Sequence, residues 1–413
     1  MKRRNFGFLL LSGCMAIALT GCPDSGNSGG GSSTNEGGSK VIRIVSSLPR
    51  TGSAKGQTDT MVNGIRMAIE EVGGEVNGYK IEYLDLDDAT ASAGQWTPEA
   101  ETANADKAVA DRDVMAYIGT YNSGAAKISM PILNKAGLLM VSPANTWPGL
   151  TKPEIGDPGE PGIYFPSGKR NYVRVVPADD LQGKLAADWA KEMGVKKVFI
   201  IDDSEVYGKG LAEMFQLQCE EIGLEVLGRQ TIDKSSQEFK TLLTTIKAKG
   251  PDLIYFGGTT QSKGGQIAKD IVAVGLDAKM MGPDGCYENA FIESAGADVL
   301  ENRVFITFGG LPADQLTGVG KTFVENYRKK YKTEPEGYAA YGYEAARVAL
   351  DAIRRAGKKD RTAIVDAAFA TKDFEGALGT WSFDENGDTT ITTISGNTVE
   401  DGKFKFVKVL GGK

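Results

Sequence analysis

From Val41 onward, short apolar runs alternate with longer segments whose apolar residues recur at helical spacing, and the connections between them are short. Strands are expected at 41–46, 80–87, 115–118, 138–141 and 172–176, with helices at 60–71, 98–111 and from Ser123 to a stop at Gly137. Pro177 opens a second series of the same kind. Its helices are expected at 181–193, 207–222, 237–249 and 265–274, and its strands at 197–201, 224–230, 253–256 and 278–281. Such alternation implies parallel strands joined by right-handed crossovers, with helices on both faces. A chain of 413 residues is too long for one core, so the two series read as two α/β lobes. Residues 151–170, rich in Gly, Pro and charge, read as a long surface loop. After a strand at 303–308 come helices at 314–331, 337–356 and 362–370, then strands at 379–383 and 403–409 joined by tight turns.

The N-terminus has the form of a secretory signal. Lys2, Arg3 and Arg4 precede an apolar stretch, 6–19, that is too short to span a bilayer. Leu19-Thr20-Gly21-Cys22 resembles a lipobox, in which the cysteine is lipidated and becomes the new N-terminus; Leu11-Ser12-Gly13-Cys14 has the same pattern, but after a very short apolar region. Residues 1–21 are then a signal peptide, and 22–40, a Gly/Ser/Asn tract, is a flexible tether with a random-coil reach of roughly 20–25 Å. Loss of the three basic residues takes the net charge from −7 to −10. An acidic body without basic clusters argues against nucleic acid and against adhesion to anionic lipid, so membrane contact is expected only through the lipid. The chain has no histidine, which removes Ser-His-Asp and Cys-His catalysis and imidazole metal sites. Cys14 leaves with the signal peptide; Cys219 and Cys286 remain, either joined in one disulfide, which spacing does not decide, or standing as separate small apolar side chains. No cofactor and no metal are expected.

The strand ends carry the candidate site. The 115–118 strand stops at Gly119, and Ser123 is placed as N-cap of the next helix, which would leave the amides of Gly124, Ala125 and Ala126 free for an anion. The neighbouring strand delivers 142–146, so two hydroxyl-bearing loops meet at one sheet edge, where ligands of open α/β sheets bind. In the second series the strand ends bring Tyr207, Thr259-Thr260 and the carboxylate of Asp284. The result is bipolar, with an anion end on one lobe and a cation end on the other. An α-amino acid fits that polarity.

Five motifs resemble the leucine/isoleucine/valine-binding proteins of bacterial ABC importers: IGTYNS at 118–123, LLMVSPANTWP at 138–148, DDSEVYGKGLA at 202–212, YFGG at 255–258 and MGPDG at 281–285. The resemblance runs in order from Val41 to Val409. It implies the type I periplasmic binding fold, two Rossmann-like lobes joined by three crossover segments that close on ligand as a hinge. On that pattern 41–176 and 309–390 form lobe 1, and 177–308 and 391–413 form lobe 2. Ser123, Ala144 and Thr146 would hold the ligand's carboxylate and ammonium, with Asn122 beside them; Tyr207 would cover the site and Asp284 neutralise the ammonium. The resemblance also exposes departures. Asp284 stands where close relatives carry Glu. Gln57 or Thr58 replaces an aromatic that contacts the ligand side chain, and Thr259-Thr260 replaces a second. The relatives' cystine is missing, with Asn122 at one of its positions and Thr90 near the other.

An enzyme lacks its parts here. Gly318-Val319-Gly320-Lys321-Thr322 echoes a phosphate-binding loop, but position 315 is Gln and the segment falls within an expected helix. The reading is therefore a monomeric, lipid-anchored, extracytoplasmic binding protein, not an enzyme. It would deliver branched-chain or aliphatic amino acids to an ABC permease and its ATPase subunits. The alternatives are a receptor for short amides, urea or another small carboxylate in the same fold, and the ligand-sensing subunit of a signalling system.

Overall fold

The computed structural model describes residues 39–411, apart from Lys234. Cys22, the signal peptide and nearly all of the tether lie outside the described residues.

Two sheets organise the chain. The first contains β1 (Val41–Leu48), β2 (Glu75–Val76), β3 (Tyr79–Asp87), β6 (Val114–Gly119), β7 (Leu139–Ser142) and β8 (Tyr172–Arg174), in the order β2-β3-β1-β6-β7-β8. The short strands β4 (Ala89–Thr90) and β5 (Gln95–Trp96) pair with each other beside it. Helices α1 (Lys55–Glu71), α2 (Pro98–Ala110) and α3 (Ser123–Lys135) connect its strands. In the second sheet, β9 (Lys197–Asp202), β10 (Glu225–Thr231), β11 (Leu253–Gly257), β12 (Lys279–Gly282) and β13 (Val304–Gly309) are parallel. Between them run α4 (Asp179–Glu192), α5 (Val206–Ile222), α6 (Lys240–Lys247), α7 (Gly264–Ala273), α8 (Asn289–Ala295) and α9 (Ala297–Leu300).

The chain then returns to the first lobe with α10 (Gly318–Tyr331), α11 (Ala339–Ala356) and α12 (Arg361–Phe369), followed by the small ladder of β14 (Phe374–Gly376) and β15 (Gly379–Trp381). Helix α11 lies directly on α1. A Cβ on Gly64 would stand 2.4 Å from the Ala339 carbonyl oxygen, and one on Gly342 2.4 Å from that of Met61, so only glycine permits this approach. A third crossing brings β16 (Ile394–Glu400) and β17 (Lys403–Leu410) onto the edge of the second sheet.

The expected α/β architecture of two lobes with crossover connections is present, with one modification. The sheets are mixed, because β2 pairs antiparallel with β3, and β16 and β17 add an antiparallel hairpin to β13. β16 was not expected in the sequence. It is buried on both faces and so lacks alternation, and its Gly396 packs on Trp189. Helix α1 begins at Lys55 rather than at residue 60, since its first turn precedes the apolar periodicity that starts at Met61. The short helices α8 and α9 were also not expected.

The 151–170 segment is less of a surface loop than its composition implies. Glu160 is buried within it and accepts hydrogen bonds from Trp147 Nε1 (2.8 Å), the Asp157 amide (2.9 Å) and the Tyr164 hydroxyl, with Lys127 at 2.5 Å. Cys219 and Cys286 are buried free thiols.

One fully buried cation holds the crossing region. Arg174, at the end of β8, pairs with Asp388 through Nε at 2.7 Å and donates to the Trp147 carbonyl at 2.8 Å and to Thr151 Oγ1 at 2.6 Å. The guanidinium, followed by its own hydrogen bond, keeps the Asp388 carboxyl below its usual range despite burial. Removing one member of such a pair leaves a buried charge uncompensated, typically at a cost of about 3–5 kcal/mol. Asp388→Ala is expected to lower the unfolding free energy from urea denaturation by that amount, and a value unchanged from wild type would show that the pair contributes nothing.

Candidate functional site

The loops that follow β6 and β7 are bound to each other before they meet anything else. Asn145 accepts from the Thr120 amide at 3.2 Å and donates to the Thr120 carbonyl at 2.9 Å. Ser123 does not cap α3: Asn122 occupies the cap position, and Ser123 is the first helical residue. The amides of Ala125 and Ala126 bond to the Asn122 carbonyl and are not free, which corrects the sequence-based picture. The Ser123 hydroxyl instead accepts from the Thr146 and Trp147 amides, each at 3.3 Å, and so fixes the second loop on the first. These groups form a polar shelf at the carboxyl edge of the first sheet.

Opposite the shelf, the loop after β12 presents Asp284. Tyr207, in the first turn of α5, donates to Asp284 Oδ1 at 2.8 Å and accepts from the Gly285 amide at 2.8 Å. Tyr338, which leads into α11, donates to Asp284 Oδ2. Burial raises the Asp284 carboxyl above its ordinary value, against the opposing pull of Tyr338, Tyr207 and Gln182. Among the described residues no lysine or arginine forms an ion pair with it.

Between the two sides lies a small cavity of about 20 Å³, room for about one water molecule. Of the residues singled out in the sequence, Asn122, Ala144, Tyr207, Thr259 and Asp284 line it, together with Tyr121, Gly285 and Tyr338. Ser123, Thr146 and Gln57 are not in its lining. Gln57 bridges the lobes, donating to the Tyr287 carbonyl at 3.2 Å and accepting from the Tyr338 amide at 3.0 Å. Asn122 makes a second bridge, donating to Gln261 Oε1 at 3.2 Å. A solute larger than water enters only if these bridges part.

A larger cavity, about 720 Å³, lies away from this edge, between α1, α11 and residues 370–375. Its charged lining faces solvent, and it has none of the convergent buried polar groups found here.

Sequence reasoning missed three acidic or aromatic members of the site. Asp179 is buried at the start of α4, its amide on the Thr146 carbonyl at 2.9 Å. Its carboxyl is raised well above the ordinary range, first by burial and then by Asp284. The Thr146 hydroxyl beside it eases the charge, but the pair lacks the geometry of a formed hydrogen bond. An acid in a first helical turn complements the helix dipole, and in sequence Asp179 reads as nothing more. Tyr121 and Tyr338 gave no signal of their own; they meet edge to face, with ring centroids 6.0 Å apart.

The pattern of the periplasmic binding proteins matches residues 41–403. The chain belongs to that family. Among its relatives is the Leu/Ile/Val-binding protein BraC3 of Rhizobium johnstonii, 28% identical over 88% of this chain and 93% of that one. Its fold matches that of the leucine-binding protein LivK of Thermotoga maritima with a TM-score of 0.80 and 30% identity, covering 90% of this chain and 99% of the other. The branched-chain amino-acid binding protein LivJ of Streptococcus pneumoniae, solved with isoleucine, matches with a TM-score of 0.77 and 27% identity over 89% and 99%. This periplasmic binding protein is thus homologous to the branched-chain amino-acid binding proteins and has their two-lobed fold. Solute binding, not catalysis, is the family's activity.

Proposed function

We propose that this protein captures an α-amino acid outside the cytoplasmic membrane and passes it to an ABC permease with its ATPase subunits. The observation that carries this reading is Asp284, a buried carboxylate held by two tyrosines, with no basic residue paired to it among the described residues. An α-ammonium supplies the missing charge, with Asp179 as a second acid near it. The shelf beside the cavity, with its Ser123 and Thr146 hydroxyls next to Ala144, would take the carboxylate once the lobes part. Branched-chain or aliphatic amino acids are the first candidates, because the relatives carry those names. No aliphatic side chain larger than alanine lines the cavity, however, so the choice of side chain rests on the remaining walls. A short amide or urea is the second reading: burial favours a neutral Asp284, and a neutral acid can donate to an amide.

Binding separates these readings. A buried charge left unpaired costs about 3–5 kcal/mol. Asp284→Asn is therefore expected to weaken amino-acid binding by roughly two to three orders of magnitude, at 1.4 kcal/mol per tenfold, by calorimetric titration. Wild-type affinity for amino acids in a folded Asp284→Asn variant, or binding of acetamide and urea alone, sinks the amino-acid reading.

Closure follows from the interlobe bridges of Gln57 and Asn122. Ligand binding gains only its differential affinity for the closed form, so small-angle scattering at saturation is expected to give a smaller radius of gyration than without ligand. An identical profile in both conditions contradicts a hinge.

The same reading places a lipid on Cys22. Cys22→Ala is expected to release the protein from the membrane fraction. Retention of that variant, with release of Cys14→Ala, would move the anchor to Cys14.

A further inference from the structure

Two acids buried away from the cavity are fully bonded, although a third, Asp88, has neither oxygen partnered. Glu344 is fully buried and accepts from Trp381 Nε1 at 2.7 Å and the Ala377 amide at 2.8 Å, with Arg347 at 3.7 Å. Glu160 is used as completely, by Trp147, Tyr164 and Lys127. Glu288 is treated differently. Its side chain is 1% exposed, yet Oε2 has no hydrogen-bond partner. Only the Thr260 hydroxyl eases its charge, and Glu336, of like sign, opposes it.

Glu288 does not itself line the cavity but acts on Tyr121, which does. Tyr121, which lines the cavity, feels the Glu288 charge more than that of Asp284, and its own hydroxyl also lacks a partner. Gln57 sits beside Tyr121 and spans to Tyr287, the residue before Glu288. Two unpartnered buried polar atoms from two lobes therefore sit at one end of the site. With the ligand's ammonium at Asp284 and its carboxylate on the Ser123 shelf, the walls left for the side chain are Tyr121, Asn122, Thr259 and Tyr338, with Glu288 at that end.

We propose that Glu288, with Tyr121 and Gln57, determines side-chain specificity, and that the amino acid bound carries a cationic side chain whose N–H donors reach the Glu288 carboxylate. This inference rests on the amino-acid reading above and replaces an aliphatic side chain with a basic one. A cation is favoured over a neutral donor because the groups facing Glu288 are Glu336, Tyr121, Cys286 and Thr260, none of them positive. Leaving a buried polar group unmatched is what rejects the wrong ligand in such a site. Burial, opposed by Thr260, pushes the free carboxyl up to about 8. Pairing with a cation lowers it again, so binding near pH 7 releases a proton from Glu288.

Calorimetry on the full mature chain tests this with lysine, ornithine and arginine against leucine, isoleucine and valine, at pH 7 in two buffers of different ionisation enthalpy. The basic amino acids are expected to bind more tightly, with proton release. In Glu288→Gln their affinity is expected to fall about 100-fold, with proton release lower by about one proton, while Glu336→Gln retains tight binding. Tighter binding of leucine, isoleucine or valine by wild type overturns the inference and leaves the amino-acid reading standing. Unchanged affinity and proton release in a folded Glu288→Gln also overturn it. Binding of acetamide or urea, with none of the six amino acids, overturns both. Should Glu288→Gln not fold, the wild-type ranking alone decides.

Discussion

The Arg174 guanidinium is buried, and every donor it has must find an acceptor or the fold pays for an unsatisfied charge. It meets that demand with the Asp388 carboxylate, the carbonyls of Asn145 and Trp147, and Thr151. Asp388 lies in the third crossing between the lobes, and the other three belong to the loop after β7. The loop is thus fixed in the one shape in which Asn145 can grip Thr120 and Ser123 can hold the Thr146 and Trp147 amides. The shelf, the third crossing and the end of β8 share a single buried cation.

The opposite lobe is built on unpaired negative charge. Away from the cavity Asp202 is bonded by Arg229 at 2.7 Å and Thr231 at 3.0 Å. Around the cavity the acids are left to tyrosines and to one another: Asp284 to Tyr207 and Tyr338, Asp179 to Thr146 and the repulsion of Asp284, Glu288 to Thr260. Buried polar groups without partners are rare enough in folded proteins to require a reason. Their convergence at the lobe boundary is what the proposed cationic solute would complete.

Much of the architecture was legible in the chain. Alternating apolar runs and helical segments specify parallel strands with crossovers, because each strand must be covered on both faces. The loops at the strand ends are set by the same alternation, so Ala144, Tyr207 and Asp284 could be placed at the site without coordinates. Elements without a period escaped: β16, buried on both faces, and α8 and α9, too short to show one. The capping role assigned to Ser123 failed for a different reason. A serine before a helix can cap it or take the first helical position, and the nearby amides of Thr146 and Trp147 decided in favour of the latter.

The sequence by itself determined the class of fold, which follows from periodicity, and marked Asp284 as a charge at a strand end, which follows from residue type. It did not determine what lies behind that charge. Asp179 reads as a helix start, Glu288 as one more acid, and Tyr121 and Tyr338 as core aromatics. Their roles arise from burial and from the absence of partners, which depend on segments as far apart in the chain as Gln57, Tyr121 and Glu288 meeting in space. Only the tertiary structure decides that meeting, because a buried group's energy is set by its neighbours across the lobe boundary and not by its neighbours along the chain.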